Sequence, residues 1–185
     1  MEDGLIYFRD GTMIAQSGLA CVYKMNNQLF LEKGPGHTLW AVESELGDYI
    51  WQLNDKPKGD CLEIGLGLGV ASRYILSFPQ VNTLTTVEKD ADVVRVQAET
   101  NLIEDERHII LNSDGILYAY STNRVFDFIF LDFYTHIDED TLPEIADMAR
   151  ACKRLLKSDS VMMGWIDPAT SEEDVRIFND LMENI

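Results

Sequence analysis

Within this 185-residue chain, the segment whose residue types and spacing point most directly to chemistry is Asp60-Cys61-Leu62-Glu63-Ile64-Gly65-Leu66-Gly67-Leu68-Gly69-Val70. An apolar, strand-like run enters three glycines at alternate positions, Gly65, Gly67 and Gly69, and a helical pattern follows. Glycine lets the backbone turn sharply and approach a ligand, and the N-terminus of the next helix presents N–H groups to it. The loop therefore implies a nucleotide-type ligand. A dinucleotide fingerprint would need glycine where Val70 stands, and a phosphate-binding P-loop would need a Gly-Lys-Ser/Thr ending that is absent. NAD and ATP both lose ground. Carboxylates recur at the ends of later apolar runs. Glu63 precedes Gly65 by two residues, and Glu88 follows Gly69 by 19, the distance from which an acid reaches ribose hydroxyls in folds of this type. Asp114 follows a third run, and Asp132 closes a fourth, Phe126 to Leu131. That edge, the carboxyl ends of the strands, is where open α/β sheets bind ligands. Asp132 is the first choice for orienting an acceptor or taking its proton, and Tyr134 and His136 follow on the same loop. His37 sits in a Gly/Pro turn and His108 opens a strand, and three histidines without clustered cysteines do not make a zinc site.

The pattern Glu63-x-Gly65-x-Gly67-x-Gly69 resembles motif I of the class I S-adenosylmethionine-dependent methyltransferases. That resemblance spans residues 58 to 166 and implies S-adenosylmethionine as cofactor. It places Glu63, the three glycines and Glu88 at the cofactor, Asp114 at its adenine and Asp132 over the reacting centre. The layout, with a small β unit ahead of the glycine motif, is most similar to the aminopropyltransferases of the spermidine synthase group. Two features depart from that group. Its GGGDGG motif carries an acid where this chain has Leu68, and its D-x-x-D-P signature becomes Asp132-Phe133-Tyr134-Thr135-His136. Those acids hold cationic amines, so their absence favours the intact cofactor and a different acceptor. The reaction expected is methyl transfer to a small acceptor, for which the acidic rim suits a cation, with Asp132 and Tyr134 as the catalytic candidates. The alternatives are aminopropyl transfer to a polyamine and a cofactor-binding or assembly protein without turnover. An amino-directed nucleobase methylase would carry an Asn/Asp-Pro-Pro-Tyr motif, and Asp132-Phe133-Tyr134 lacks both prolines.

The elements that must position these residues follow from periodicity. From Asp60 onward, strand-length apolar runs at 60–64, 83–87, 108–111, 126–131 and 160–166 alternate with helical patterns at 69–78, 90–103, 115–120 and 141–157. A last helix over 171–184 is opened by a Ser171 cap with Glu172, Glu173 and Asp174 in its first turn. The expectation is a doubly wound, mostly parallel Rossmann-like sheet of methyltransferase type over 58–185. Residues 1–57 form a separate β-hairpin unit with a connecting helix. There, Gly4–Phe8, Leu19–Met25 and Gln28–Glu32 read as strands, with Asn26-Asn27 as the hairpin turn. Leu39, Val42, Leu46, Ile50 and Leu53 recur at helical steps after Gly34-Pro35-Gly36, and Trp40, Tyr49 and Trp51 are expected to pack between that helix and the sheet, with a substrate-facing role as the alternative.

Composition bounds the partners. With 15 Lys+Arg against 32 Asp+Glu the net charge is −17, which disfavours a nucleic-acid binder, and no basic run offsets it. An apolar content of 46% suits a folded chain that buries roughly 70% of its surface. No segment approaches the ~18 apolar residues that span a bilayer, and Cys21, Cys61 and Cys152 are too few and too scattered for a disulfide framework. A cytoplasmic, membrane-free setting is expected. Methyltransferases of this fold continue beyond a fifth strand, whereas only a helix follows it here, so the edge at Val161 to Ile166 is expected to be uncovered, and a homo-oligomer, most simply a two-fold dimer, is expected with this edge or the amino-terminal hairpin at the contact.

Overall fold

The structure, a computed structural model, describes residues 11–36 and 38–185. The strand expected at Gly4–Phe8 and the turn residue His37 lie outside them. The chain opens with β1 (Thr12–Ser17), β2 (Ala20–Met25), β3 (Gln28–Lys33) and β4 (Thr38–Val42), which form an antiparallel sheet in sequence order. The β2–β3 hairpin turns on Asn26 and Asn27 at φ 49° and 63°, the positive values a two-residue hairpin needs. β1 went unanticipated, and a register shift between Met13 and Ala15 interrupts its pairing.

The helix expected from residue 39 begins later. Thr38–Val42 instead pairs with β3, Val42 opposite Phe30 and Ala41 opposite Leu31. A single 3₁₀ turn (Glu43–Glu45) then leads into α1 (Leu46–Leu53). Thr, Trp and Val favour strands, and pairing with β3 satisfies their backbone, so tertiary context overrides a helical spacing that merely continues across the junction. Of the aromatics expected in the core here, only Tyr49 is buried; Trp40 is 44% and Trp51 79% exposed.

The second sheet is parallel, in the order β7-β6-β5-β8-β9. Its strands are β5 (Gly59–Ile64), β6 (Val81–Glu88), β7 (His108–Asn112), β8 (Phe126–Leu131) and β9 (Leu156–Gly164). The helices between them are α2 (Val70–Leu76), α3 (Ala91–Thr100), α4 (Gly115–Ser121) and α5 (Leu142–Lys153), and α6 (Glu172–Asn184) ends the chain. Alternation divides the core. Cys61, Leu84, Phe128 and Phe130 join one buried cluster with α2 and α3, while Leu62, Ile64, Ile129 and Leu131 join another with α4 and α5. This is the α/β, Rossmann-like methyltransferase fold expected. β9 starts four residues earlier than its apolar run, because Leu156 pairs with Phe126 across a register shift, and α5 ends correspondingly early. Ser171 caps α6 by accepting from the Asp174 N–H at 3.2 Å.

Among the described residues no strand pairs with the outer edge of β9. Its apolar end is only partly open, however. Val161 is 36% exposed, but Trp165, expected to be uncovered, is 7% exposed because the Tyr49 ring lies against it at 4.6 Å between centroids. No helix among the described residues is long and apolar enough to cross a membrane.

Candidate functional site

The carboxyl ends of β5, β6 and β8 open into a cleft of about 1150 Å³. Its donor half is built on the glycine loop. Gly65, Gly67 and Gly69 all adopt positive φ, at 100°, 49° and 67°. A Cβ on Gly65 would collide with the backbone oxygen of Asp132, so this position admits no side chain. Ala41 of β4 roofs the loop, 3.5 Å from where a Gly67 Cβ would stand. Gly65 and Gly67 line the cleft, while Gly69 caps α2.

Glu88, 8% exposed, stands at the end of β6 in the cleft wall. Its Oε2 accepts from the Leu66 N–H at 2.9 Å and its Oε1 from the Asp90 N–H at 2.7 Å. Burial raises its pKa, and these two backbone bonds oppose the rise. The carboxylate thus braces the glycine loop while facing the space beside it. Asp114 lines the same half, caps α4 through the Leu117 N–H at 3.0 Å and pairs with Lys89 at 3.5 Å. Asp90, next to Glu88, forms an ion pair with Lys33, whose ammonium lies 5.9 Å from the Trp40 ring centroid. The N-terminal sheet is thereby tied to the donor rim.

Glu63 sits elsewhere. It is fully buried and is not among the cleft's lining residues. Its Oε2 accepts from Ser72 and, at 2.6 Å, from Thr86, whose Oγ1 also lies 2.8 Å from His108 Nε2. Glu63 Oε1 has no hydrogen-bond partner among the described residues. Burial pushes its pKa to about 8, holding it as the neutral acid at pH 7, and pushes that of His108 down to about 4. The expectation that Glu63 touches a cofactor gives way to a placement under the loop, where it joins α2 to β6.

In the acceptor half, Asp132 is half-buried at the end of β8. Tyr49 donates to its Oδ2 at 2.9 Å. Burial raises the Asp132 pKa to about 7, against the Tyr49 hydrogen bond and with a contribution from the Glu88 charge. Tyr134 lines the cleft, but its hydroxyl donates to the Trp165 carbonyl at 2.8 Å and so holds a backbone rather than facing a reactant. His136 is exposed on the loop beyond, 3.0 Å from Asp138. Sequence reasoning missed Tyr49, Glu45, Asp48, Asp167 and Trp165. Burial lifts Glu45 to about 7, reinforced by the charges of Asp132, Asp48 and Asp167. Among the described residues the lining holds eight acids (Glu45, Asp48, Glu88, Asp90, Asp114, Asp132, Glu144, Asp167) and one basic residue, Lys89.

No family model and no curated protein matches the sequence. Among solved structures, spermidine synthase from Thermotoga maritima superposes with a TM-score of 0.66 at 19% identity, over 94% of this chain and 63% of that one. A spermidine synthase in complex with the transition-state analogue AdoDATO matches with the same figures. Precorrin 8w decarboxylase from Methanobacterium thermoautotrophicum gives 0.54 at 12% identity, over 83% of this chain and 74% of that one. These likenesses establish the fold, and this chain spans less than two thirds of the spermidine synthase length.

Proposed function

We propose that the protein transfers an alkyl group from an adenosyl sulfonium donor, S-adenosylmethionine or its decarboxylated form, to a small cationic amine. The observation that carries this reading is Asp132, held by Tyr49 where the two halves of the cleft meet, with Glu45, Asp48 and Asp167 around the acceptor side. The donor half fits a nucleoside. Gly65 and Gly67 leave room for close approach, and Glu88 presents a carboxylate beside the loop, where ribose hydroxyls are held in folds of this type.

The bound sulfonium supplies an electrophilic carbon and a neutral thioether leaving group. The chain's own residues do the rest. The acidic acceptor side draws in and orients the ammonium groups of the amine. Asp132, with a pKa near 7, takes a proton from the attacking nitrogen on Oδ1, while Tyr49 holds Oδ2 in place. Nitrogen–carbon bond formation then accompanies carbon–sulfur cleavage in line, with the electron pair leaving on sulfur and the proton passing from Asp132 to solvent. The proteins' main contribution is alignment.

Methyl transfer is the first reading, because apolar Leu68 stands in the loop where an acid would hold the ammonium of an aminopropyl donor. Aminopropyl transfer is the second. It is favoured by the likeness to spermidine synthases and by a lining in which Lys89, the one basic residue among those described, is already paired with Asp114. Incubating the protein with each donor and a panel of mono-, di- and triamines, followed by mass spectrometry, decides between them by the mass added. Asp132→Asn should cut turnover by about two orders of magnitude or more while leaving donor affinity within a few-fold. No product from either donor would overturn the proposal.

A further inference from the structure

The backbone of residues 165–166, where the chain leaves β9, is held by one strand carbonyl and by two side chains from distant elements. The Trp165 N–H donates to the Leu131 carbonyl at 2.9 Å, and the Trp165 carbonyl accepts from Tyr134 at 2.8 Å. Both polar groups of Ile166 go to a single side chain. Gln52 Nε2 donates to the Ile166 carbonyl at 2.6 Å, and the Ile166 N–H donates to Gln52 Oε1 at 3.0 Å. The amide of Gln52 thus takes the place a neighbouring strand would occupy, across 114 residues of sequence.

Gln52 lies three residues after Tyr49 on α1, so the two share a helix face, and the Tyr49 ring rests on Trp165 at 4.6 Å. One helical turn therefore makes both contacts with the 165–166 segment and also carries the hydroxyl that holds Asp132. The acids of the acceptor half come from these same pieces. Glu45 and Asp48 lie at the start of α1, and Asp167 immediately follows Ile166. The charge of Asp167 contributes to the raised pKa of Glu45, so the carboxyls on the two sides of that joint are near enough to repel when both are ionised. Gln52 itself is not among the cleft's lining residues, and both polar atoms of its amide are engaged with Ile166.

We infer that Gln52 is a positioning residue for acceptor use: its paired hydrogen bonds to Ile166 clamp α1 to the segment after β9 and keep Tyr49, Trp165 and Asp167 registered against Asp132. The inference rests on the transfer reading above, and its test includes a measurement independent of transfer. Gln52→Met preserves length and removes both bonds; Gln52→Glu keeps an oxygen for the Ile166 N–H and removes the donor to its carbonyl. Each is made in the wild-type chain and in a Trp40→Phe/Trp51→Phe background, where Trp165 is the one remaining tryptophan of three.

For Gln52→Met, S-adenosylmethionine affinity by calorimetry should stay within about twofold. Amine kcat/KM should fall about ten- to a hundredfold, the range expected when reacting groups lose alignment. Trp165 emission should shift to longer wavelength as its packing against Tyr49 loosens, and Gln52→Glu, which sets a carboxylate against the Ile166 carbonyl and adds a charge to the acids of the joint, should shift it at least as far. Should Gln52→Met not fold, Gln52→Glu alone decides on the same three readings. Unchanged Trp165 emission would overturn the clamp even in a protein that transfers nothing, as would a folded variant that loses donor affinity and amine kcat/KM in equal measure. Absence of transfer in the wild type, with the emission shift present, would overturn the transfer reading while leaving the clamp standing.

Discussion

Tyr49 and Asp132, 83 residues apart, share a hydrogen bond of 2.9 Å that joins the N-terminal unit to the end of β8. The bond favours the ionised form of a carboxyl that burial otherwise holds near pH 7. Tyr49→Phe should therefore raise the Asp132 pKa. Because a base works only when ionised, the acid limb of the pH–rate profile should move to higher pH, and kcat at pH 7 should drop several-fold while the plateau above pH 9 changes less. A limb that stays in place would remove Asp132 as the titrating group.

Glu88 should carry donor affinity. Its carboxylate faces the donor half and also anchors the Leu66 and Asp90 amides, so Glu88→Ala removes a charged acceptor and loosens the loop together. Hydrogen bonds to charged groups contribute roughly 1.5–3 kcal/mol, so calorimetry should find S-adenosylmethionine bound at least about tenfold more weakly in a variant that still folds. Unchanged affinity would take Glu88 out of the site.

Glu63 makes a prediction about stability. Its folded pKa of about 8 lies above the ordinary carboxyl value, so the native chain holds a proton that the unfolded chain releases. That contribution is complete below about pH 4 and is lost as pH rises through about 8. Glu63→Gln, neutral at every pH, should remove one proton's worth of this slope and melt a few degrees above wild type near pH 9, at roughly 2–4 °C per kcal/mol for a chain of this size. Asp132 and Glu45 remain in both proteins and cancel in the comparison. Parallel melting curves from pH 5 to 9 would show that Glu63 is ionised in the fold.

The edge of β9, unpaired among the described residues, is the proposed contact for a homo-oligomer. Trp165 is covered within the chain, so the probe is Val161, 36% exposed on the edge strand. Light scattering should give a two-fold dimer at micromolar concentration and a monomer for Val161→Lys. A monomeric wild type would end the proposal.

How far the sequence foretold this site depends on how local each signal is. The glycine loop, Glu88, Asp114 and Asp132 were legible because each follows an apolar run that must be a buried strand, and strand ends gather at one edge of a parallel sheet. Tyr49 read as packing, and it does pack, at 5% exposure; that its hydroxyl meets Asp132 depends on how α1 docks, which no spacing within α1 encodes. Glu63 was misplaced for the complementary reason. Its position in the motif is local, but strand alternation turns its side chain beneath the loop toward Ser72 and Thr86. Trp40 shows the remaining failure, since a helical repeat of apolar residues runs unbroken from an edge strand into a helix.

The contact between Gly65 and Asp132 has a kinetic consequence. The Asp132 N–H donates to the Ile64 carbonyl at 2.8 Å, and its own carbonyl packs against the Cα of Gly65, so the loop that would hold the donor and the backbone that carries the acceptor's base form one wall. Under the proposed reaction, donor and acceptor would therefore not bind independently: a nucleoside seated on the loop bears directly on the residue that carries the base, and the KM for the amine should depend on which donor is bound.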